Sequence, residues 1–274
     1  MRAPDVEGTV ASFFTYWDGP QFFPGGWNEI KFEIAPSKEK DPLSVNVTYG
    51  DGKQPQNETN NAHGFNPRDS FHTYSLEWTP DYISFEIDGA EIRHLDRYDT
   101  EAVKFMDKAQ SLRMNFWTPT GDNELSAGFD DKTMPWYVLY DYVEVYSWEE
   151  ATNEFVFKWR DDFHDFNYDR WHKQEGGFED NSSIFYPENV YTSHGKLVIK
   201  METEEYHDKE QEQFESPEPE FTPYYYQGEY VHEHLAHGGY PDHHPDYPTN
   251  SLPQNAYPLL NLKEKSKTKK SKDE

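Results

Sequence analysis

The clearest alternation of apolar and polar positions in the chain runs from Trp27 to Ile34 (Trp-Asn-Glu-Ile-Lys-Phe-Glu-Ile). A period of two predicts a β-strand that turns Ile30, Phe32 and Ile34 toward a core and Glu29, Lys31 and Glu33 the other way. The same rhythm predicts strands over Gly8–Tyr16 and Ser44–Tyr49, and residues 50–70, rich in Asn, Gln and Gly, read as a loop. Next come Phe71–Trp78, a Thr-Pro-Asp turn and Tyr82–Ile87. Asp88-Gly89 then closes a hairpin, because that dipeptide suits two successive left-handed residues. Thr100–Ala109 reads as a short helix or ordered loop. Leu112–Trp117, Trp136–Ser147 and Phe155–Trp159 read as strands, and so does Val190–Glu202 with a His194-Gly195 turn inside it. Helical periodicity is scarce, so the expected class is all-β, a double sheet.

Composition changes this picture at one end. Residues 206–274 are rich in Glu, Pro, His and Tyr and close on a lysine-rich run, a mixture that cannot bury enough apolar surface to order itself. They are expected to form a disordered acidic, His-rich tail behind a domain of residues 1–205. Histidines 232, 234, 237, 243 and 244 in that tail imply weak, adventitious metal affinity at most. Cysteine is absent from the 274 residues, which excludes disulfides and thiolate metal sites. No apolar run approaches a membrane span. With a formal charge of −27, neither nucleic acid nor an anionic membrane is an expected partner, whereas a neutral polymer meets no such barrier. The 20 Tyr, 19 Phe and 8 Trp exceed what a core demands and suit either strand formation or stacking on sugar faces. Asn46-Val-Thr, Asn57-Glu-Thr and Asn181-Ser-Ser fit the glycosylation sequon.

Several separate stretches fit one family. Gly8–Tyr16, Trp27–Glu33, Phe71–Tyr82, Asp88-Gly89, Arg113–Trp117 and Tyr142–Tyr146 resemble glycoside hydrolase family 16, and most of all its 1,3-1,4-β-glucanases (lichenases). So do Trp159–Trp171, Asn189–Tyr191 and Gly195–Ile199, a block that opens most members of the family and here comes last. The resemblance covers about residues 1–203. It implies a bent jelly-roll β-sandwich (concanavalin A-like), circularly permuted, with the join near residues 147–154. The first strand is expected to be missing, since Met1 leads almost at once into a strand pattern and no signal peptide precedes it. Secretion is expected by resemblance alone, as is a monomer acting on β-glucan.

The resemblance further implies a retaining endo-β-glucanase, with Glu29 as nucleophile and Glu33 as general acid/base. Retaining glycosidases hold their two carboxyls about 5–5.5 Å apart. Cα atoms four residues apart on a strand stand on the order of 13 Å apart, a gap that long glutamate side chains can close by leaning together. The departure is Lys31, which stands where the family places an aspartate. An ammonium beside carboxyl groups favours their ionised forms, the wrong state for donating a proton. Turnover is therefore expected to be slow near neutral pH or shifted to an acidic optimum, and the alternative is a glucan-binding pseudoenzyme with no turnover. Sugar contacts are implied at Phe14, Tyr16, Trp27, Asn46, Arg113, Asn115 and Trp117, although Phe14 and Arg113 also read as core and ion-paired residues. Asp18 stands where the family often has Asn, while Gly176 and Leu125 fall where its lichenases place stacking groups. No cofactor is needed for catalysis. A structural calcium is implied at Asp141 with backbone oxygens of Asp162 and Gly195; the alternative is a hydrogen-bonded aspartate at a twisted strand edge.

Overall fold

The computed structural model describes residues 1–17, 26–36, 42–50, 56–61, 67, 70–121, 126–208, 224–226 and 229–231. The chain is all-β. Its elements in order are β1 (Val10–Tyr16), β2 (Trp27–Ile34), β3 (Leu43–Gly50), β4 (Gln56–Asn61), β5 (Tyr74–Trp78), β6 (Tyr82–Ile87), β7 (Ala90–Asp96), α1 (Glu101–Phe105) and β8 (Ser111–Trp117). They continue with β9 (Trp136–Tyr140), β10 (Val143–Glu149), β11 (Glu154–Asp161), β12 (Val190–Ser193), β13 (Lys196–Met201), β14 (Tyr224–Tyr226) and β15 (Glu229–Val231). One sheet has the order β4-β3-β2-β1-β8, and two others run β5-β6-β7 and β12-β13-β9. β10 pairs with β11 and β14 with β15.

The chain divides into two compact units. One comprises Phe14–Phe32 and Leu43–Arg113. Its core gathers Ile30, Phe32, Val45, Val47, Ile83 and Phe85, all at most 1% exposed. Phe32 meets Tyr74 and Phe85 edge-on, with ring centroids 5.3 and 5.2 Å away. The β6–β7 hairpin turns at Asp88 and Gly89 with φ of +51° and +78°, the left-handed pair expected of Asp-Gly. Thr100 caps α1 by accepting the Ala102 N–H. At the other end of α1, Asn28 of β2 accepts the N–H groups of Asp107 and Lys108 and donates to the Phe105 carbonyl. A single buried amide thereby satisfies one donor pair and one carbonyl left over at the helix end, and it fixes the start of β2.

The other unit comprises Met1–Phe13, Glu33–Pro42 and Met114–Asp242. Val138, Leu139, Leu197, Val198 and Phe163 are buried in it. The Tyr140 hydroxyl donates to the Ser12 carbonyl at 2.8 Å and the Thr118 hydroxyl to the Gly8 carbonyl at 2.7 Å, both fully buried. Gly8 itself has φ +76°, and a Cβ there would meet the Phe129 backbone at 2.8 Å. No other residue suits that position. His194 and Gly195 turn β12 into β13 with positive φ, as their sequence predicts.

Two expectations change. Residues 56–61 are a strand rather than loop, because β4 pairs with β3 through polar partners that no hydropathy pattern reveals. The predicted strand over residues 136–147 is two strands, broken at Asp141-Tyr142, where Asp141 pairs with Lys196 and Tyr142 lies 3.9 Å beneath the Arg160 guanidinium. Within residues 206–274, a helical turn covers 204–208 and β14 pairs with β15; the five tail histidines and the lysine-rich end lie outside the described residues, as do Asp18 and Leu125.

Candidate functional site

Alternation along β2 holds as expected: Ile30, Phe32 and Ile34 have no exposed surface, and Glu29, Lys31 and Glu33 share the opposite face. That face is not an ordinary solvated one. Glu29 is only 8% exposed, and both its carboxylate oxygens are held. The Trp27 indole N–H donates to Oε2 at 3.0 Å, and the Lys31 ammonium lies 3.5 Å from Oε1. Strand period two puts Trp27 and Lys31 on either side of Glu29, so three alternate residues of one strand build the clamp.

Rings from β1 and a guanidinium from β8 extend it. Tyr16 meets Trp27 edge-on at 6.2 Å, and Phe14 meets Tyr16 at 6.4 Å. The Arg113 guanidinium lies 4.5 Å over the Tyr16 ring, held there by donating to the Ser111 hydroxyl, which in turn donates to the Tyr16 carbonyl. Burial raises the Tyr16 pKa above its ordinary value and the negative charge of Glu29 raises it further, with Arg113 opposing. Burial also lowers the pKa of Arg113, which the tyrosine partly offsets. Of the sequence-predicted residues, Phe14, Tyr16, Trp27, Glu29, Lys31 and Arg113 are thus linked by direct contacts. Arg113 is a cation stacked on a ring.

Glu33, Asn115 and Trp117 belong to the other unit. Glu33 is half-buried on the same face of β2 as Glu29, and Asn115 and Trp117 share a face of β8 with Arg113 by alternation. The Asn115 side-chain carbonyl is buried without a hydrogen-bond partner among the described residues. Trp117 meets Phe178 edge-on at 4.9 Å. Phe178 is 45% exposed and also meets Phe185 at 6.0 Å. Sequence reasoning singles out Gly176 and misses Phe178. With φ +90° and paired hydrogen bonds to Phe185, Gly176 serves the backbone, and the adjoining Gly177-Phe178 is the available signal for an aromatic two residues on.

Asn46 stands apart. Its amide donates to Thr48 and Asn57, its carbonyl accepts from Thr59, and it is 8% exposed. Together with the Thr48 to Asn57 bond of 2.7 Å it forms a polar ladder across β3 and β4. A side chain so occupied has no spare donor for a sugar, and burial argues against its acting as a glycosylation acceptor.

The calcium expectation meets a lysine. A Cβ on Gly195 would stand 3.8 Å from the Asp162 carbonyl, so those two backbone segments do adjoin. Asp141, however, has the Lys196 ammonium 3.5 Å from its carboxylate, and the Asp162 carboxylate is engaged by Arg160. A calcium ion at Asp141 would sit against an ammonium, and the residues do not fit it. No cluster of three or more His, Cys, Asp or Glu able to hold a metal occurs among the described residues.

Comparison with known proteins supplies the family. A β-glucanase of Fibrobacter succinogenes is 29% identical over 207 residues, which cover 73% of this chain and 58% of the relative. A β-glucanase of Brevibacillus brevis is 32% identical over 148 residues, covering 52% of each. The chain therefore spans little more than half the length of these curated relatives. A prokaryotic β-1,3-1,4-glucanase (lichenase) derived from a mouse hindgut metagenome aligns with a TM-score of 0.36 at 25% identity, covering 48% of this chain and 57% of that one. The profile of the glycosyl hydrolases family 16 matches residues 1–144, more than half of the sequence and the part that carries β2 and its surroundings, and the chain belongs to that family.

Proposed function

We propose that this protein is a retaining endo-β-glucanase acting on β-1,3-1,4 or β-1,3 glucans. The observation that carries this is Glu29: a carboxylate nine-tenths buried on a strand face lined by Phe14, Tyr16 and Trp27, with an indole donor fixing one oxygen. A nucleophile must approach the anomeric carbon from a fixed direction, and a carboxylate held at one oxygen by a rigid ring is aimed in that way. Glu33, on the same face of the strand, takes the role of proton donor to the departing sugar oxygen and later of base toward water. The rings offer their faces to the apolar side of each glucose, and Arg113 and Asn115 offer polar groups to its hydroxyls.

The permuted order has physical support as well. β10 and β11 are antiparallel neighbours joined through residues 150–153, so a chain end at each is a few residues from the other. Such ends can be joined and new ones opened elsewhere with little cost to the fold. Since the substrate class is a polysaccharide met outside cells, the reading brings export with it.

A second reading, a glucan-binding protein without turnover, draws on Lys31, whose ammonium neutralises Glu29 at 3.5 Å. Reducing-sugar release from barley β-glucan and laminarin, with NMR of the first-formed anomer, separates the two. Wild type is expected to release sugar with retention and Glu29→Gln to lose at least about 10³-fold. Inversion, or a Glu29→Gln protein as active as wild type, would refute the mechanism. Binding without release would select the second reading.

A further inference from the structure

The β10–β11 hairpin carries a feature that the proposed chemistry does not use. Tyr146 lies opposite Phe157 with ring centroids 5.6 Å apart, and Trp148 opposite Phe155 at 4.9 Å. Both pairs project on one face, two residues apart along the strand. Phe157 is 48% exposed, and the other three rings are half-buried. At the near end the ladder is continued by polar groups. The Tyr146 hydroxyl donates to Glu144 at 2.6 Å, and Arg160 pairs with the same carboxylate at 2.7 Å while stacking on Tyr142 at 3.9 Å. From Tyr142 to Trp148 the ladder runs on the order of 20 Å.

We propose that this ladder is a non-catalytic surface that binds a β-glucan chain. The choice of glucan rests on the proposed function. The chemistry of the face supports it in three ways. Its rings stand in a row on a two-stranded sheet, where alternation repeats them at every second residue, as an extended chain of apolar sugar faces requires. Its charges are already paired: Arg160 is matched by Glu144 and Asp162, and although burial works against the cation, those hydrogen bonds raise its pKa. A face whose guanidinium is matched by carboxylates, both held in place at its end, suits hydroxyl groups and a neutral polymer. The third argument concerns the competing occupant. A second copy of this chain would bring a further charge of −27 against its own, which self-repulsion opposes.

The test is retention on insoluble barley β-glucan, read as a dissociation constant, alongside turnover of a short soluble β-glucan oligosaccharide. Trp148→Ala and Phe157→Ser are expected to weaken retention about tenfold each, with oligosaccharide kcat/KM within about twofold of wild type. Phe157→Trp is expected to bind as tightly as wild type or more so. Because Phe157 is about half exposed, its replacement by serine leaves the fold intact, and melting curves verify that. Undiminished retention of Phe157→Ser overturns the proposal, as does a parallel loss of oligosaccharide turnover. Sedimentation showing a dimer that Phe157→Ser dissociates would overturn it too, in favour of a second copy. If wild type cleaves no glucan at all, the enzymatic reading fails, while the retention comparison still decides this one.

Discussion

On the proposed mechanism, replacing Lys31 is expected to make the protein a faster glucanase and a less stable one at once. The ammonium stands 3.5 Å from the Glu29 carboxylate. At that separation, with an effective dielectric of about 20, the attraction is on the order of 5 kcal/mol. Lys31 is part-exposed, and screening reduces the usable part to roughly 1–3 kcal/mol. In the glycosylation step the carboxylate gives up its charge as it bonds to carbon, while the sugar becomes cationic. A fixed cation stabilises the starting anion and repels the cationic sugar as it develops, so both effects raise the barrier. Lys31→Met, which keeps the apolar stem and removes the charge, should therefore raise kcat on barley β-glucan about 5- to 150-fold with KM little changed.

The same change leaves a buried carboxylate with only the Trp27 N–H for company, and the unfolding free energy should fall by about 1–3 kcal/mol. Lys31→Asp should go further, because a carboxylate beside an acid keeps it protonated, and the alkaline limb of the pH–rate profile should move upward. The assay is kcat and KM from about pH 4 to 9 together with urea unfolding of each variant. A Lys31→Met enzyme that is both slower and less stable would refute the reasoning, since it would mean that the lysine aims Glu29 rather than restrains it. No change in either quantity would show the pair to be screened out.

Other outcomes rest on the same geometry. Tyr140 is fully buried, and burial pushes its pKa far above the ordinary 10.0; its contribution to stability should be constant below about pH 10 and fall above it, as only the unfolded chain releases that proton. Tyr140→Phe should lower stability at neutral pH by about 1–3 kcal/mol, through the lost bond to Ser12, and flatten the alkaline decline in melting temperature. Phe178→Ala should raise KM for polymeric glucan about tenfold and spare kcat, because the ring meets Trp117 and half of it faces outward; a fall in kcat alone would contradict this. Millimolar calcium or a chelator should leave the melting temperature of wild type unchanged, since Lys196 already neutralises Asp141, whereas Lys196→Met should become stabilised by added calcium.

What the sequence made legible was whatever is encoded by local period. β2 and the Asp88-Gly89 and His194-Gly195 turns stand where alternation and turn chemistry put them, and the segment Thr100–Ala109, which reads as a short helix or ordered loop, holds a helix at Glu101–Phe105. β4 was invisible because Asn57 and Thr59 are satisfied by Thr48 and Asn46 of the adjacent strand, a reason for extended structure that lies across the sheet and not along the chain. The setting of the break at Asp141 was hidden likewise, since the ion-pair partner of Asp141 is Lys196, 55 positions further on. The site divides along the same line. That Glu29 and Lys31 share a face comes from period two; that Glu29 is clamped between an indole and an ammonium, and that Asn46 is consumed by its neighbours, depends on how neighbouring side chains are turned. A strand pattern fixes which residues can meet but not which of them are already occupied. On the proposed mechanism the Glu29 carboxylate must be free enough to attack and held enough to aim, and removal of the Lys31 ammonium 3.5 Å away tests which of the two that contact serves.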